Sequence, residues 1–305
     1  GIKTADPRWW ADEMSVTYWA ESMRDSSQDT QLLQCAHKDR RKKEKIEKKK
    51  AVISPSKVES MLQCPLKGFL QGIGAEDSDS TSAQKLGTLI HKIAQDHPQG
   101  GIDDMKKELE QLWEQEMGLV SGNLESDREF TKALGMLDKL DKYCACASKD
   151  VDVEKYARYE SQVCSVSAKL DRLEFSDRDS GHVIVADIKT GSAITKEEAE
   201  VNPQLLIYQW LVNQQAVREL KIPDGVDAVS AGAQLVFVGK QESTHAQIRS
   251  QLPLDSDKEK YVLRMLDTAA ELLSRQDFLA RANKNCDSCS FMPLCPAHEG
   301  ERLFS

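Results

Sequence analysis

Two aspartates and a lysine, Asp171, Asp187 and Lys189, stand within Ala168 to Gly191, which reads AKLDRLEFSDRDSGHVIVADIKTG. Two apolar-rich runs, about Val166 to Phe175 and Val183 to Ile188, flank Ser176-Asp177-Arg178-Asp179-Ser180-Gly181, a segment of hairpin-turn composition. Pairing through that turn brings both carboxylates to one end of a sheet, and Lys189, two residues beyond Asp187, projects from the same face. Hard divalent cations such as Mg²⁺ take oxygen ligands, commonly one or two protein carboxylates with water and a substrate phosphate. A neighbouring ammonium holds the attacking water and offsets charge that develops on phosphorus. The set predicts metal-dependent phosphodiester hydrolysis, although an Asp-x-Lys triplet alone is a weak signal and its surroundings must carry the weight.

A second group of chemical residues lies near the C-terminal end, Cys286-x2-Cys289-x5-Cys295-Pro296. Three cysteines so close in a proline-bounded loop predict a metal site. They are one thiolate short of a tetrahedral set, and Cys64 can supply the fourth. Spacing does not choose between Zn²⁺ and an iron–sulfur cluster, since both accept four cysteines. Eight cysteines without a secretion signal fit a reducing, cytoplasmic compartment.

These groups need a scaffold, and 305 residues are enough for a full core. Hydrophobic content is ordinary, and no apolar run approaches membrane-spanning length. The opening GIKTADPRWW has no signal-peptide profile, and its lack of an initiator Met suggests a piece of a longer polypeptide. The net charge of -9 weighs against a free-standing duplex binder, because backbone binding works by neutralising phosphates. It does not exclude a nuclease, whose metal site adds carboxylates of its own.

Residues 1–51 read as a tail or linker. Trp9, Trp10, Tyr18 and Trp19 suit anchoring to a neighbouring domain, and the run His37 to Lys50 suits a solvated helix, a linker or a DNA-contacting arm. A domain over 52–305 then begins with Ser54-Pro55, a helix-start signal. Val58, Met61 and Leu62 share one face of that helix, which should break at Cys64-Pro65. Leu86, Leu89, Ile90 and Ile93 form a second helical stripe, with Gly87 permitting close approach to a sheet and His91 at the stripe's border. Ile102, Met105, Leu109, Leu112 and Trp113, then Phe130, Leu134, Leu137, Leu140 and Tyr143, predict two core-facing helices separated by a break at Ser121 to Asn123. Cys144 and Cys146 are taken as packing residues. Strands are expected at Tyr156 to Glu160, Val163 to Leu173 and Ala233 to Val238, and helices at about Pro203 to Leu220 and Tyr261 to Leu279. Gln204 and Tyr208, four residues apart, share a helix face. Leu263, Leu266, Ala270 and Leu273 should line one side of the last helix.

SPSKVESMLQCP, LGTLIH, LDRLE, DIKTG and QLLIY, in that order, resemble RecB-type nucleases of the PD-(D/E)XK superfamily, over about residues 52–298. The chain departs from the family pattern in having Ala168-Lys169-Leu170 where a glycine often precedes the first aspartate. The resemblance implies an α/β fold: a restriction-endonuclease-like core with a central mixed sheet flanked by helices, a helical N-terminal part and a Cys-rich C-terminal loop. It assigns Mg²⁺ or Mn²⁺ to His91, Asp171, Asp187 and the backbone carbonyl of Ile188, with Glu160 as a weaker candidate. It gives Lys189 the attacking water, Gln204 the orientation of Lys189, and Tyr208 a place on the DNA path. One cysteine before these motifs and three after them are similar to the AddB and AdnB type, which implies a [4Fe–4S] cluster on Cys64, Cys286, Cys289 and Cys295, with Zn²⁺ the lesser candidate. Such a domain is implied to be the C-terminal, exonuclease-type part of a helicase–nuclease in double-strand-break repair, with DNA and a helicase domain or subunit as partners. No GxxxxGK[ST] segment occurs in this chain, so ATP hydrolysis of that kind is not expected of it. The rival readings are a stand-alone or CRISPR-associated exonuclease of the same superfamily, and a catalytically silent DNA-binding or scaffolding module.

Overall fold

The computed structural model describes residues 51–75, 82–118, 124–161, 164–275 and 278–297. The expectations for the tryptophans of residues 1–50, for the basic run and for the break at Ser121 to Asn123 fall outside the described residues. In chain order the elements are β1 (Ala51–Ile53), α1 (Pro55–Gln63), α2 (Pro65–Gly72), α3 (Ser82–Asp96), α4 (Ile102–Met117), α5 (Leu124–Cys146), β2 (Val151–Glu160), β3 (Cys164–Asp177), β4 (His182–Lys189), α6 (Lys196–Glu200), α7 (Pro203–Asn213), β5 (Val229–Phe237), β6 (Gln247–Gln251) and α8 (Ser256–Arg275). Described residues within 77–160 and 166–264 make the larger of two compact units, and those within 1–76, 161–165 and 265–305 the smaller. No described helix is long and apolar enough to cross a membrane.

In the larger unit β3 pairs with β2 and β4, β4 with β5, and β5 with β6. The β3–β4 and β5–β6 pairs are antiparallel and β4–β5 is parallel, so the sheet is mixed, as expected. The predicted turn is a short 3₁₀ turn closed by Gly181 at φ +70°, where only glycine sits without strain. Arg178 fastens that turn through Asp150 and Asp152 and lies over the Phe175 ring. The parallel β4–β5 pair needs a crossover, which α6 and α7 supply.

Strand alternation decides which side of β4 meets which helix. Ala186 and Ile188 join Leu89, Ile90, Ile93, Leu109, Trp113, Leu137 and Leu140 in the main core, which puts α3, α4 and α5 on that face. Asp187, between them, faces the other way, toward α7. Every α7 residue from Gln204 to Val212 is buried, so this helix is covered all round.

In the smaller unit Ser54 caps α1 by accepting the Lys57 N–H at 3.2 Å. The helix stops at Cys64 because Pro65 has no N–H to continue it, and Pro65 opens α2. Gly68 lets α2 lie against Met61, whose side chain a Cβ there would overlap. Phe69 stacks on Phe278 with centroids 4.0 Å apart.

Several elements depart from expectation. The strands β2 and β3 are longer than predicted, because charged residues on their alternate positions hid the pattern. The edge strand β6, QIRSQ, has too little apolar content to be read. On α5 the buried stripe runs through Ala133, Met136, Leu137 and Leu140, while Phe130 and Leu134 are only partly covered. Cys144 is buried but Cys146 is exposed, so Cys146 is not a packing residue. On α8, Leu266 and Ala270 are buried as expected, together with Val262, Met265 and Ala269, while Leu263 is exposed.

Candidate active site

The register of the hairpin runs from Phe175↔Val183 to Arg172↔Ala186. One step further the same register sets Asp171 against Asp187, and this is where the chemical residues gather. The Asp171 carboxylate accepts the Ile188 N–H at 3.0 Å, and its Oδ2 lies 3.3 Å from Nδ1 of His91. His91 reaches it because α3 comes close to the end of β4. A Cβ on Gly87 would stand 3.2 Å from the Thr190 hydroxyl, and His91 follows Gly87 by one helical turn on the same face.

Asp187 is almost wholly enclosed and makes a separate network. The Lys189 ammonium lies 2.7 Å from its Oδ2 and donates to Oε1 of Gln204 at 2.9 Å. The Gln204 amide donates to Oδ1 of Asp187 at 3.2 Å and to the Tyr208 hydroxyl at 2.7 Å. The Asp187 charge reaches that hydroxyl as well. A buried carboxylate needs such company, since desolvation without compensating bonds is costly.

The electrostatics follow from burial and from two carboxylates sharing one place. The Asp171 carboxyl is pushed up to about 6, first by burial and then by the Asp187 charge, while His91, the Ile188 N–H and Lys189 act in the opposite sense. The Tyr208 hydroxyl is driven well above its ordinary range by burial and by Asp187 and Asp171. Tyr208 is thereby a neutral donor beneath the site. At 5% exposure it lies under Gln204, not on an open path for DNA.

Glu160 is not brought to this group. It pairs with Arg158 at 2.8 Å, and both side chains are about half exposed. Glu154 stands there instead: one donor atom each from His91, Glu154 and Asp171 lie within 4.8 Å of one another. Composition hides this, because V-D-V-E reads as ordinary strand alternation with acids facing water. The Ile188 carbonyl follows Asp187 on β4, and the N–H of the same residue is the one held by Asp171.

The donor set fits a hard divalent cation. Imidazole and carboxylate oxygens converge, and the Asp187 Oδ2 atom is buried with an ion-pair partner in Lys189 but no well-formed hydrogen bond. An anion in this place would meet three carboxylates, while a cation meets its usual ligands.

In the smaller unit Cys64, Cys286, Cys289 and Cys295 line one cavity. Backbone N–H groups point at two of the sulfurs, from Arg281 to Cys64 at 3.5 Å and from Asn283 to Cys286 at 3.2 Å. Two linked 3₁₀ turns carry the C-terminal three, with the Cys289 N–H on the Cys286 carbonyl and the Cys295 N–H on the Met292 carbonyl. Among the described residues no three of these sulfurs lie within 4.8 Å of one another.

A family model described as PD-(D/E)XK nuclease superfamily matches residues 52–296. Among solved structures, a candidate exonuclease from Eubacterium rectale is similar at 12% identity and a TM-score of 0.46, covering 78% of this chain and 86% of that one. A protein designated SSO0001 is similar at 15% identity and a TM-score of 0.40, covering 90% of this chain and 98% of its own. A search of curated proteins found no match.

Proposed function

This chain belongs to the PD-(D/E)XK nuclease superfamily, and from that premise we propose that it is a divalent-metal-dependent deoxyribonuclease of exonuclease type. The observation that carries the reading is the meeting of Asp171 and Asp187 beside Lys189, with Gln204 bonded to both Lys189 and Asp187. In this reading Asp171, Asp187, His91 and the Ile188 carbonyl hold Mg²⁺ or Mn²⁺. The bound cation supplies Lewis acidity toward the scissile phosphate and makes a ligated water easier to deprotonate. Lys189 orients the attacking water and stabilises the charge that builds on the non-bridging oxygens. Gln204 fixes the ammonium by accepting one of its protons, so that less motion must be frozen when substrate arrives. Tyr208 holds Gln204 from below.

We further place the chain in the RecB-type branch, as the nuclease part of a helicase–nuclease that processes DNA ends. The order of Cys64, His91, Asp171, Asp187-x-Lys189, Gln204 and Cys286-x2-Cys289-x5-Cys295 supports this placement. The four cysteines that line one cavity, with N–H groups aimed at two of the sulfurs, support a [4Fe–4S] cluster, and the resemblance ranks it ahead of Zn²⁺. Its role there is to staple the smaller unit.

The test is digestion of end-labelled linear single- and double-stranded DNA with Mg²⁺, with Mn²⁺ and with chelator. Cleavage in either metal, its loss in chelator, and at least a hundredfold loss in Asp187→Ala are expected. Parent-like digestion by Asp187→Ala removes the assigned site.

A further inference from the structure

We propose that Tyr156 and Lys169 form a subsite for single-stranded DNA at the rim of the active site, with the ring stacking on an unpaired base and the ammonium meeting the phosphate beside it. This rests on the nuclease reading and adds the form of DNA that the site takes. Three observations carry it.

The first is exposure. The Tyr156 side chain stands 62% exposed on β2, whereas Tyr143 and Tyr208 are buried and Tyr159 packs edge-on against Trp210. A single surface aromatic is ordinary in itself, so its position has to carry the weight.

The second is backbone. Asp152 and Ala157 are both buried, although strict alternation along β2 puts Asp152 and Tyr156 on one side and Ala157 on the other. The phase of the strand therefore changes between them. The change spans Glu154, at φ +54°, a region that non-glycine residues seldom occupy. This departure from regular strand turns the Tyr156 ring out to solvent.

The third is place. The Lys169 ammonium lies 6.0 Å from the centroid of the Tyr156 ring and pairs with Glu154. One donor atom of Glu154 lies within 4.8 Å of donor atoms of His91 and Asp171, so ring and ammonium border the group that carries the chemistry. The Lys169 side chain is 47% exposed and can meet a phosphate oxygen from solvent.

Charge decides what kind of contact is worth most here. A net charge of -9 works against binding by phosphate neutralisation alone. Stacking on an aromatic ring adds affinity that does not depend on charge, and it tolerates any sequence because every base has a π-face. Bases inside a duplex have both faces covered, so a stacking subsite selects unpaired ones.

The competing explanation is a surface residue of high strand propensity with no role in binding. Fluorescence anisotropy of an end-labelled oligothymidylate and of a blunt duplex, with the full chain in chelator so that neither is cut, separates the two. Tyr156→Ala should weaken binding of the single strand about tenfold. Tyr156→Leu, which keeps apolar bulk but has no π-face, should weaken it to a similar extent, and Tyr156→Phe should bind like the parent. Lys169→Met should weaken it about threefold at low salt and less at high salt. Losses above about threefold in the Ala and Leu variants, with Phe parent-like and the duplex unaffected, support the proposal. A smaller loss in either variant, a loss in Phe, an equal loss on the duplex, or no binding of the single strand by the parent overturns it. Should Tyr156→Ala not fold, Leu against Phe decides. Parent-like binding by Tyr156→Ala in a chain that cuts DNA with Mg²⁺ sinks the subsite alone. A parent that binds single strands through Tyr156 but cuts with neither Mg²⁺ nor Mn²⁺ sinks the nuclease reading instead.

Discussion

The two candidate metal-binding regions differ in who holds the ligands. In the larger unit the protein does it: Asp187 is fixed by Lys189 and Gln204, and Asp171 by the Ile188 N–H and His91, before any cation is considered. In the smaller unit the four cysteines share a cavity, yet the bonds around them are two N–H contacts to sulfur and the turns that carry the loop. One site is preorganised for chemistry, where geometry must exist before the substrate does. The other is a cavity lined by four thiols.

The sharpest way to break this comparison is a crossed pair of variants. Asp171→Asn should lower cleavage about a thousandfold, on the scale of losing a catalytic cation contact. Its melting temperature should hold or rise, because a desolvated charge is removed. Cys289→Ser should do the reverse. It should cost about 3–5 kcal/mol of stability, the scale for opening a long closed loop, and hydrogen exchange should rise in α1, α2 and residues 278–297 before it rises in β3 and β4. If both variants lose stability to the same extent, the contrast between the sites is mistaken.

A smaller effect concerns pH. The folded-state pKa of Asp171, about 6, lies above that of an unfolded aspartate. The folded chain without cation therefore holds this proton more tightly than the unfolded chain, and stability from this group falls as pH rises from about 4 to 6. Cation binding needs the ionised form, so Mn²⁺ affinity should rise about tenfold per pH unit up to roughly 6 and level off above it. Calorimetry between pH 5 and 8 checks the sign. Affinity that is flat across this range contradicts the assignment.

What could be read beforehand follows the range of each signal. The hairpin was legible because apolar alternation, a polar turn and Gly181 agree over one short stretch. The stripe Leu86, Leu89, Ile90, Ile93 was legible for the same reason, and all four residues are buried. Cys64 was placed with the distant cysteines by counting ligands, and it lines their cavity. Glu154 was invisible, since a left-handed residue inside a strand leaves no compositional trace. Glu160 was put forward by resemblance, but the left-handed residue of β2 is Glu154 and Glu160 pairs with Arg158. The enclosure of α7 was also hidden: its composition is apolar, but only the positions of β2, β4 and β5 decide that Gln204 and Tyr208 end up buried.

The central claim is that Lys189, held by Asp187 and Gln204, serves the hydrolysis of a phosphodiester. Single-turnover cleavage of end-labelled linear DNA by Lys189→Ala, at saturating Mg²⁺ and with Mn²⁺ affinity measured alongside, tests it most directly. The account predicts a rate at least a hundredfold below the parent with cation affinity changed by no more than a few-fold. A Lys189→Ala protein that cuts at the parent rate contradicts it.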